Sequence, residues 1–423
     1  MAELKNVRYS YGGIEISKFF PAFAHTDSIG YFDHSMNRKV MSIRGFIPEE
    51  MSSRFLTSLS FDESIHYEFG TDHGDSESPV KANLLPPKEV FVDCGAFHYK
   101  NLEVPRFKTG GFAGAMTAFE NYQKRHLSRE VGADYLLCSP DHIIPPDADD
   151  DLAKKRVKFT MSNARQFIDL VDGENSVTPV GVVHGRSLEE RKKMTEELID
   201  IGYEYLAFGG LVPMARNPRN ILWQLAGCSP LSGNDLAIQS DSPLGIAKEG
   251  GVKTHLFGLN SPDWYRWSKR LAIDSFDGSK LSTEGAVNGI IWIEEDFCLD
   301  NVPVDATKLY RRLQVKKIAN RDVITTGKRS TFHFSQDGKL DFKNPGWKYL
   351  QSARCTSPKC PHGPEIHCPD PRVTGSIEHN MGRTILNAWT FKSLMEKIDS
   401  ICQFAEVCDD ELVRYNWGLL EVE

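Results

Sequence analysis

Six short apolar runs, each closing on a polar residue or a glycine, recur along the middle of this 423-residue chain and leave few folds open to it. "KEVFVDCGAF" reaches Asp93 and "ADYLLCSPD" ends at Asp141. "TPVGVVHG" passes His184, "YEYLAFGG" ends at Gly209 and Gly210, "THLFGLN" ends at Asn260, and "RLAIDSFD" ends at Asp277. Helical stretches lie between them. In "SLEERKKMTEELIDIG", Ser187 is placed to cap, Glu190 follows as its capping-box partner, and Gly202 terminates. Val-, Ile- and Leu-rich strands alternating with amphipathic helices predict βαβ units and a parallel sheet. Polar or glycine residues at six successive strand ends suit an α/β fold of the (β/α)8 TIM barrel type, whose chemistry sits at that rim. A doubly wound sheet is the runner-up, but it would gather its site at one switch point. No GxGxxG or Walker sequence opens a unit, so nucleotide cofactors are not indicated.

The length fits one large barrel with appendages. We expect an N-terminal extension packing on the barrel over residues 1–85 and the barrel over 86–350, with a basic insertion at about 308–348. A zinc-binding segment and C-terminal helix would occupy 351–423. Apolar content of 40% and charged content of 26% are ordinary for a globular protein. No apolar run reaches the roughly 18 residues of a membrane span. "MAELKNVRYSYGG" lacks the apolar core of an export signal. A cytoplasmic location with no membrane partner is therefore expected. The net charge of −8 argues weakly against nucleic acid, but the charge is segregated. Between Lys308 and Lys348 there are eleven Lys and Arg against three Asp. That asymmetry predicts a phosphate-facing patch with Arg311, Arg312, Lys316 and Lys317 as candidates; a solvated face is the alternative.

Three aspartates stand at strand ends: Asp93, Asp141 and Asp277. Singly, each reads as a helix cap or loop acceptor. Together on one rim they would push each other's pKa values apart, so that one stays ionised as a nucleophile while another moves protons. That division suits displacement at a sugar carbon. His184 and the "FGGL" turn, Phe208 to Leu211, add hydrogen-bonding groups for the edge of a planar heterocycle. Phe97 and Phe257 are candidates for its stacking faces, with core packing as the alternative. The second constellation is "CTSPKCPHGPEIHCPDPRVTGSIEHN". Cys355, Cys360, Cys368 and His379 would supply three thiolates and an imidazole, a closed set typical of structural zinc. His362 and His367 are rival ligands. After them, Met381, Ile385, Trp389 and Ile398 recur at helical spacing and predict a helix packed on the barrel.

On these motifs the sequence resembles the guanine transglycosylases, which exchange guanine in a nucleic acid for a 7-deazaguanine. The resemblance covers roughly residues 88 to 402. "VDCGAF" is similar to the family's Asp-Ser-Gly-Gly-Phe segment, which implies that Asp93 is the acid/base and Phe97 a stacking face. "SPD" corresponds to the base-recognising Asp, here Asp141. "GVVHG" resembles Gly-Ile-Val-Gln-Gly, with His184 in place of Gln. "FGGL" keeps the backbone that contacts the base, at Gly209, Gly210 and Leu211. "HLFGLNSPD" puts Phe257 where a Met covers the base. "IDSFD" is similar to the nucleophile segment, which makes Asp277 the attacking residue. "EHN" resembles the segment with the zinc-ligand His.

The departures bear on the substrate. Members acting on tRNA follow the nucleophile with Pro-Thr-Arg…Arg-Asn-Gly, whose arginines engage the anticodon loop. Here the stretch is Ser282-Thr283-Glu284…Val287-Asn288-Gly289, and an acid at one arginine position is a poor surface for RNA phosphates. With the unusual zinc spacing, this implies the DNA-modifying branch, which inserts 7-cyano-7-deazaguanine into DNA in genome-modification systems, with helper proteins of such a system as candidate partners. The alternatives are the same chemistry on tRNA, a non-catalytic partner subunit, and a plain sugar-handling barrel.

Overall fold

The protein is described by a computed structural model at residues 17–22, 47–58, 87–97, 133–145, 147–174, 176–228, 237–295, 299–318, 321–326 and 377–423. Short pieces at 32–33, 38–39, 100–101, 106–107, 111–112 and 330–331 are also described. Beyond Arg312 in the late strands, and before Arg383 in the last long helix, the description is of backbone alone.

Eight parallel strands make one sheet. They are β1 (Lys18–Pro21), β2 (Arg54–Ser58), β3 (Glu89–Asp93), β4 (Asp134–Cys138), β5 (Val177–Val183), β6 (Tyr205–Phe208), β7 (Lys253–Leu256) and β8 (Ser275–Gly278). From β2 to β8 each strand pairs with the next in chain order, and β1 pairs with β8. A parallel bridge from Ala22 to Leu56 brings β1 against β2, so the ring is nearly closed. This is the sequential all-parallel barrel predicted by the strand rhythm. The expected boundary at residue 86 needs correction, because β1 and β2 lie in the segment assigned to an extension. Both strands are short, "KFFP" and "RFLTS", and neither is followed by a recognisable amphipathic helix pattern.

Strand side chains alternate between lumen and outer layer. Phe20, Phe91, Val180, Val182, Tyr205 and Ala207 share a lumen cluster. Their sequence neighbours Phe19, Val183, Leu206 and Phe208 join the core beneath the helices, as does Phe276 between Ser275 and Asp277. A polar residue of lumen parity at a strand's C-terminal end therefore lands at the barrel mouth. The helix read from "SLEERKKMTEELIDIG" forms as α1 (Leu188–Ile201), with the Ser187 hydroxyl accepting from the Glu190 amide and Gly202 at φ 110°. The Glu190 carboxylate turns back to the backbone N–H of Arg186 at 2.7 Å, one residue before the expected partner.

After β8 the chain builds an antiparallel sheet, β9 (Ile290–Glu294), β10 (Tyr310–Ile318), β11 (Arg321–Thr326) and β12 (Ser330–Thr331). It occupies the start of the basic insertion. The expected C-terminal helix forms as α3 (Ile377–Val407), with α2 (Pro262–Arg270) beneath it and α4 (Glu411–Trp417) after it. Ile385, Phe391 and Ile398 of α3 are buried against the barrel, and Phe391 meets Phe19 edge-on at 5.0 Å. The Asn387 amide bridges to β9, accepting from the Trp292 N–H at 2.8 Å and donating to the Ile290 carbonyl at 2.9 Å. Among the described residues no helix is long and apolar enough to cross a membrane.

Two buried arginines of α2 hold the last turn of α4. Arg270 donates to the carbonyls of Gly418 (3.0 Å) and Tyr415 (2.6 Å), and Arg266 to that of Asn416 (2.6 Å). These cations meet the carbonyl end of a helix, where charge and dipole agree. Arg270→Leu would leave two carbonyls unpaired and is expected to lower unfolding free energy by about 2–4 kcal/mol, measured by urea denaturation.

Candidate active site

Asp277 is the third residue of β8 and shares lumen parity with Ser275. Only 6% of its surface is exposed. Its Oδ1 accepts from the Gly258 N–H at 2.8 Å and lies 3.2 Å from the Nε2 of His255. Both contacts fall on the same oxygen. Among the described residues Oδ2 has no hydrogen-bond partner, and no Lys or Arg pairs with the carboxylate. Gly258 sits at φ 73°, and a side chain there would collide with Val212, so only glycine lets this amide approach the acid.

Asp93 ends β3 opposite Ser58, the last residue of β2. Its carboxylate accepts from the Gly95 N–H at 3.1 Å and is hydrogen-bonded by the Ser58 side chain. Burial pushes its pKa from 3.8 up to about 7; repulsion from Asp277 and Asp141 adds to the rise, and the Ser58 and Gly95 hydrogen bonds oppose it. One carboxyl of this mouth is thus poised to exchange a proton near neutrality.

The third acid, Asp141, lies just beyond β4 and is buried. Its Oδ2 is 2.5 Å from His184 Nε2, and its Oδ1 accepts from the Cys94 thiol at 2.7 Å. The His184 ring lies against Gly209, where a Cβ would come within 2.5 Å of it. Arg191 of α1 fixes the turn from below, donating to the Gly209 carbonyl at 2.9 Å. His184, Asp141 and the Gly209–Gly210 backbone therefore form one wall of hydrogen-bonding groups.

The remaining expected positions are less uniform. Leu211 has its side chain fully buried, so only its backbone is available to a ligand. Phe97 is 62% exposed, with the Lys100 ammonium 3.8 Å from its ring centre. Phe257 packs edge-on against Phe91 and His255 at 5.7 and 4.9 Å, so it forms part of the lumen's aromatic floor. Glu284, read as an acid facing phosphates, is turned inward and is 4% exposed. It accepts from the Trp292 indole at 2.5 Å and takes a two-pronged contact from Arg312 at 2.6 and 2.9 Å. Its charge is neutralised inside the protein, which corrects that reading. The same contacts qualify the basic patch: Arg312 is engaged by Glu284 and Arg311 is paired with Glu295. The side chains of Lys316, Lys317 and His379 lie outside the described residues, as do Cys355, Cys360 and Cys368. Among the described residues no group of three metal-ligating side chains occurs.

Sequence reading overlooked Ser58 and His255. His255 was legible in principle, since it stands two residues before Phe257 and shares its lumen parity.

No protein-family model matches the chain. It is 26% identical over 194 residues to a DNA-guanine transglycosylase of Salmonella montevideo, covering 45% of this chain and 40% of the relative. It is also 26% identical over 238 residues to a queuine tRNA-ribosyltransferase of Pseudomonas syringae pv. tomato, covering 52% and 58%. A queuine tRNA-ribosyltransferase of Acetivibrio thermocellus matches at 22% over 318 residues, covering 69% and 79%. The chain is related to the guanine transglycosylases. It spans about half the length of the first two relatives.

The raised pKa of Asp93 ties stability to pH. Folded, the group holds its proton up to about 7, whereas unfolded it loses it near 3.8, so its contribution to stability declines as pH rises between those values. Asp93 keeps partial solvent contact at the rim, which screens the penalty. Asp93→Asn is therefore expected to be more stable than the wild type at pH 8, by about 1–3 kcal/mol, with the difference shrinking towards pH 4. Urea unfolding at the two pH values measures it.

Proposed function

We propose that this chain is a guanine transglycosylase that exchanges guanine in DNA for 7-cyano-7-deazaguanine through an aspartyl–sugar ester on Asp277. The observation that carries the reading is the contrast between two acids on one rim. Among the described residues Asp277 meets donors through Oδ1 alone, while Asp93 is held near neutral pKa. In the reaction, Oδ2 of Asp277 attacks the anomeric carbon and the bond to guanine N9 breaks, its electron pair leaving with the base. Asp93 in its protonated form supplies the proton that neutralises N9. The incoming base then gives its N9 proton to Asp93 and attacks the same carbon, expelling Asp277. Two inversions give overall retention, and the ester conserves the glycosidic bond energy without a high-energy cofactor. Asp141, His184, Gly209, Gly210 and Leu211 would hold the base edge, and Phe97 and Phe257 would bound its faces. In duplex DNA the nucleotide would have to be flipped into the mouth, at a cost of a few kcal/mol in unstacking.

DNA is favoured over tRNA by the loss of both arginines after the nucleophile and by the DNA-guanine transglycosylase among the relatives. The inward turn of Glu284 means that this support rests on missing cations and not on an added repulsive acid. The tRNA reading is kept by the queuine tRNA-ribosyltransferases among the relatives. All three aspartates are present, which does not suit a non-catalytic partner subunit. Lys316 and Lys317 remain the candidates of the basic patch for phosphate contact, and helper proteins would belong to such a DNA-modification system.

Denaturing gels after incubation with labelled DNA or labelled tRNA test the proposal. The wild type should leave a covalent adduct on DNA, and Asp277→Asn should leave none while still binding. An adduct on tRNA alone would transfer the activity to RNA. An adduct persisting in Asp277→Asn would make another residue, most simply Asp93, the nucleophile.

The donor set of Cys355, Cys360, Cys368 and His379 is chemically suited to one structural zinc, since three thiolates and an imidazole close a tetrahedral shell. The metal would stabilise the C-terminal segment and leave no coordination position for substrate. Elemental analysis is expected to find one zinc per chain, and Cys368→Ser to lose it. Full retention by that variant would move the ligand role to His362 or His367.

A further inference from the structure

We propose that a buried relay, Tyr205–Ser275–His255, positions Asp277 for attack by fixing its Oδ1 and leaving Oδ2 as the reacting oxygen. This rests on the reading of Asp277 as the nucleophile.

The relay lies in the lumen on three adjacent strands. Tyr205 on β6 has its hydroxyl 2.6 Å from Ser275 Oγ on β8, and Ser275 Oγ is 2.6 Å from Nδ1 of His255 on β7. His255 Nε2 then reaches Asp277 Oδ1 at 3.2 Å. His255 and Ser275 have no exposed surface, and Tyr205 is buried. An ionised carboxylate only accepts, so Nε2 must carry the proton and Nδ1 must accept. Ser275 has a single hydroxyl proton, which it gives to Nδ1, and its oxygen then takes the Tyr205 proton. One direction of donation, from tyrosine to aspartate, satisfies every link. It is also the direction that an ionised Asp277 requires.

The ring cannot easily turn away. His255 stacks on Phe91 at 4.1 Å and meets Phe257 edge-on. Burial holds its pKa below the usual histidine value, outweighing the pull of Asp277, so it acts as a neutral donor and does not form a lasting ion pair. Asp93 on β3 and Cys138 on β4 also act on Asp277 from across the lumen, and both would favour its protonation if charged. Support for the ionised form therefore comes from the His255 and Gly258 donors alone among the described residues. His255 is a positioning residue in this scheme, and Ser275 and Tyr205 act through it.

The test combines kinetics with a direct titration. Ser275→Ala leaves Asp277 untouched but removes the donor that fixes the His255 tautomer. It is expected to lower kcat for base exchange about tenfold with KM for the nucleic acid unchanged, and to move the acid limb of the pH profile upward. Tyr205→Phe should act in the same direction and more weakly. His255→Phe should lose about a hundredfold, and His255→Gln, which retains an N–H near the Nε2 position, should recover part of it. Independently of turnover, carbon-13 NMR of labelled aspartate, with Asp277 assigned by its loss in Asp277→Asn, should show Asp277 titrating higher in Ser275→Ala than in the wild type. Circular dichroism melts identify variants that do not fold, and the mild Ser275→Ala keeps the test usable if His255→Phe is among them. Unchanged kcat, pH profile and carboxyl titration in folded Ser275→Ala would overturn the relay. A wild type that forms no adduct on DNA or tRNA would instead overturn the proposed function, with the titration still deciding whether the relay acts on Asp277.

Discussion

Placing carboxylates at the mouth of an apolar barrel is the constraint on which the rest of this structure turns. Among the described residues neither Asp93 nor Asp277 meets a Lys or Arg, so each must be accommodated by other means. Asp277 is given two N–H donors on one oxygen. Asp141 is enclosed by an imidazole and a thiol. Asp93 shifts its proton affinity to about neutral. Arginine beside any of them would remove the electrostatic cost and also the differences among them, because a close cation favours ionisation of every neighbouring acid.

Those solutions depend on the barrel's alternation. Ser275 and Asp277 face the lumen because Phe276 between them faces the helices, and the same parity aligns His255 with Phe257 and Phe91 with Asp93. A one-residue slip on β8 would bury Asp277 among aromatic side chains of the outer core. The register is held there on both sides, by Phe20 against Asp277 on β1 and by Leu256 against Phe276 on β7.

Much of this was legible in the sequence. Six strands and their polar ends are visible because each combines an apolar run with a sharp change of residue type. The first two staves were missed because "KFFP" and "RFLTS" are short and lack that helical punctuation. Ser58 went with them. His255 looked like one polar residue inside an apolar strand, and its meaning emerged only once β6, β7 and β8 brought Tyr205, Ser275 and Asp277 around it. Glu284 was misread for a related reason. Its partners Trp292 and Arg312 are 8 and 28 residues away, so local sequence gave no sign that the acid turns inward. The pattern is physical: periodicity reports which face a residue occupies, whereas pairing across strands depends on register.

The unequal surroundings of Asp93 and Asp277 also suggest how the two halves of the proposed reaction are coupled. Repulsion from Asp277 is one of the forces that raise the Asp93 pKa. When Asp277 forms the sugar ester its negative charge disappears, and that repulsion disappears with it. Asp93 then becomes a stronger acid at the moment when the departing guanine needs a proton. In the second half the incoming base returns a proton to Asp93 as Asp277 is released as an anion, and the restored repulsion makes Asp93 hold that proton more tightly. Proton transfer and bond exchange would thus reinforce each other through one electrostatic contact, with no moving part. The coupling requires Asp277 to be the group whose charge is made and unmade, and Asp93 the group that follows it. Donors on Asp277 and desolvation of Asp93 would favour that order in the proposed reaction.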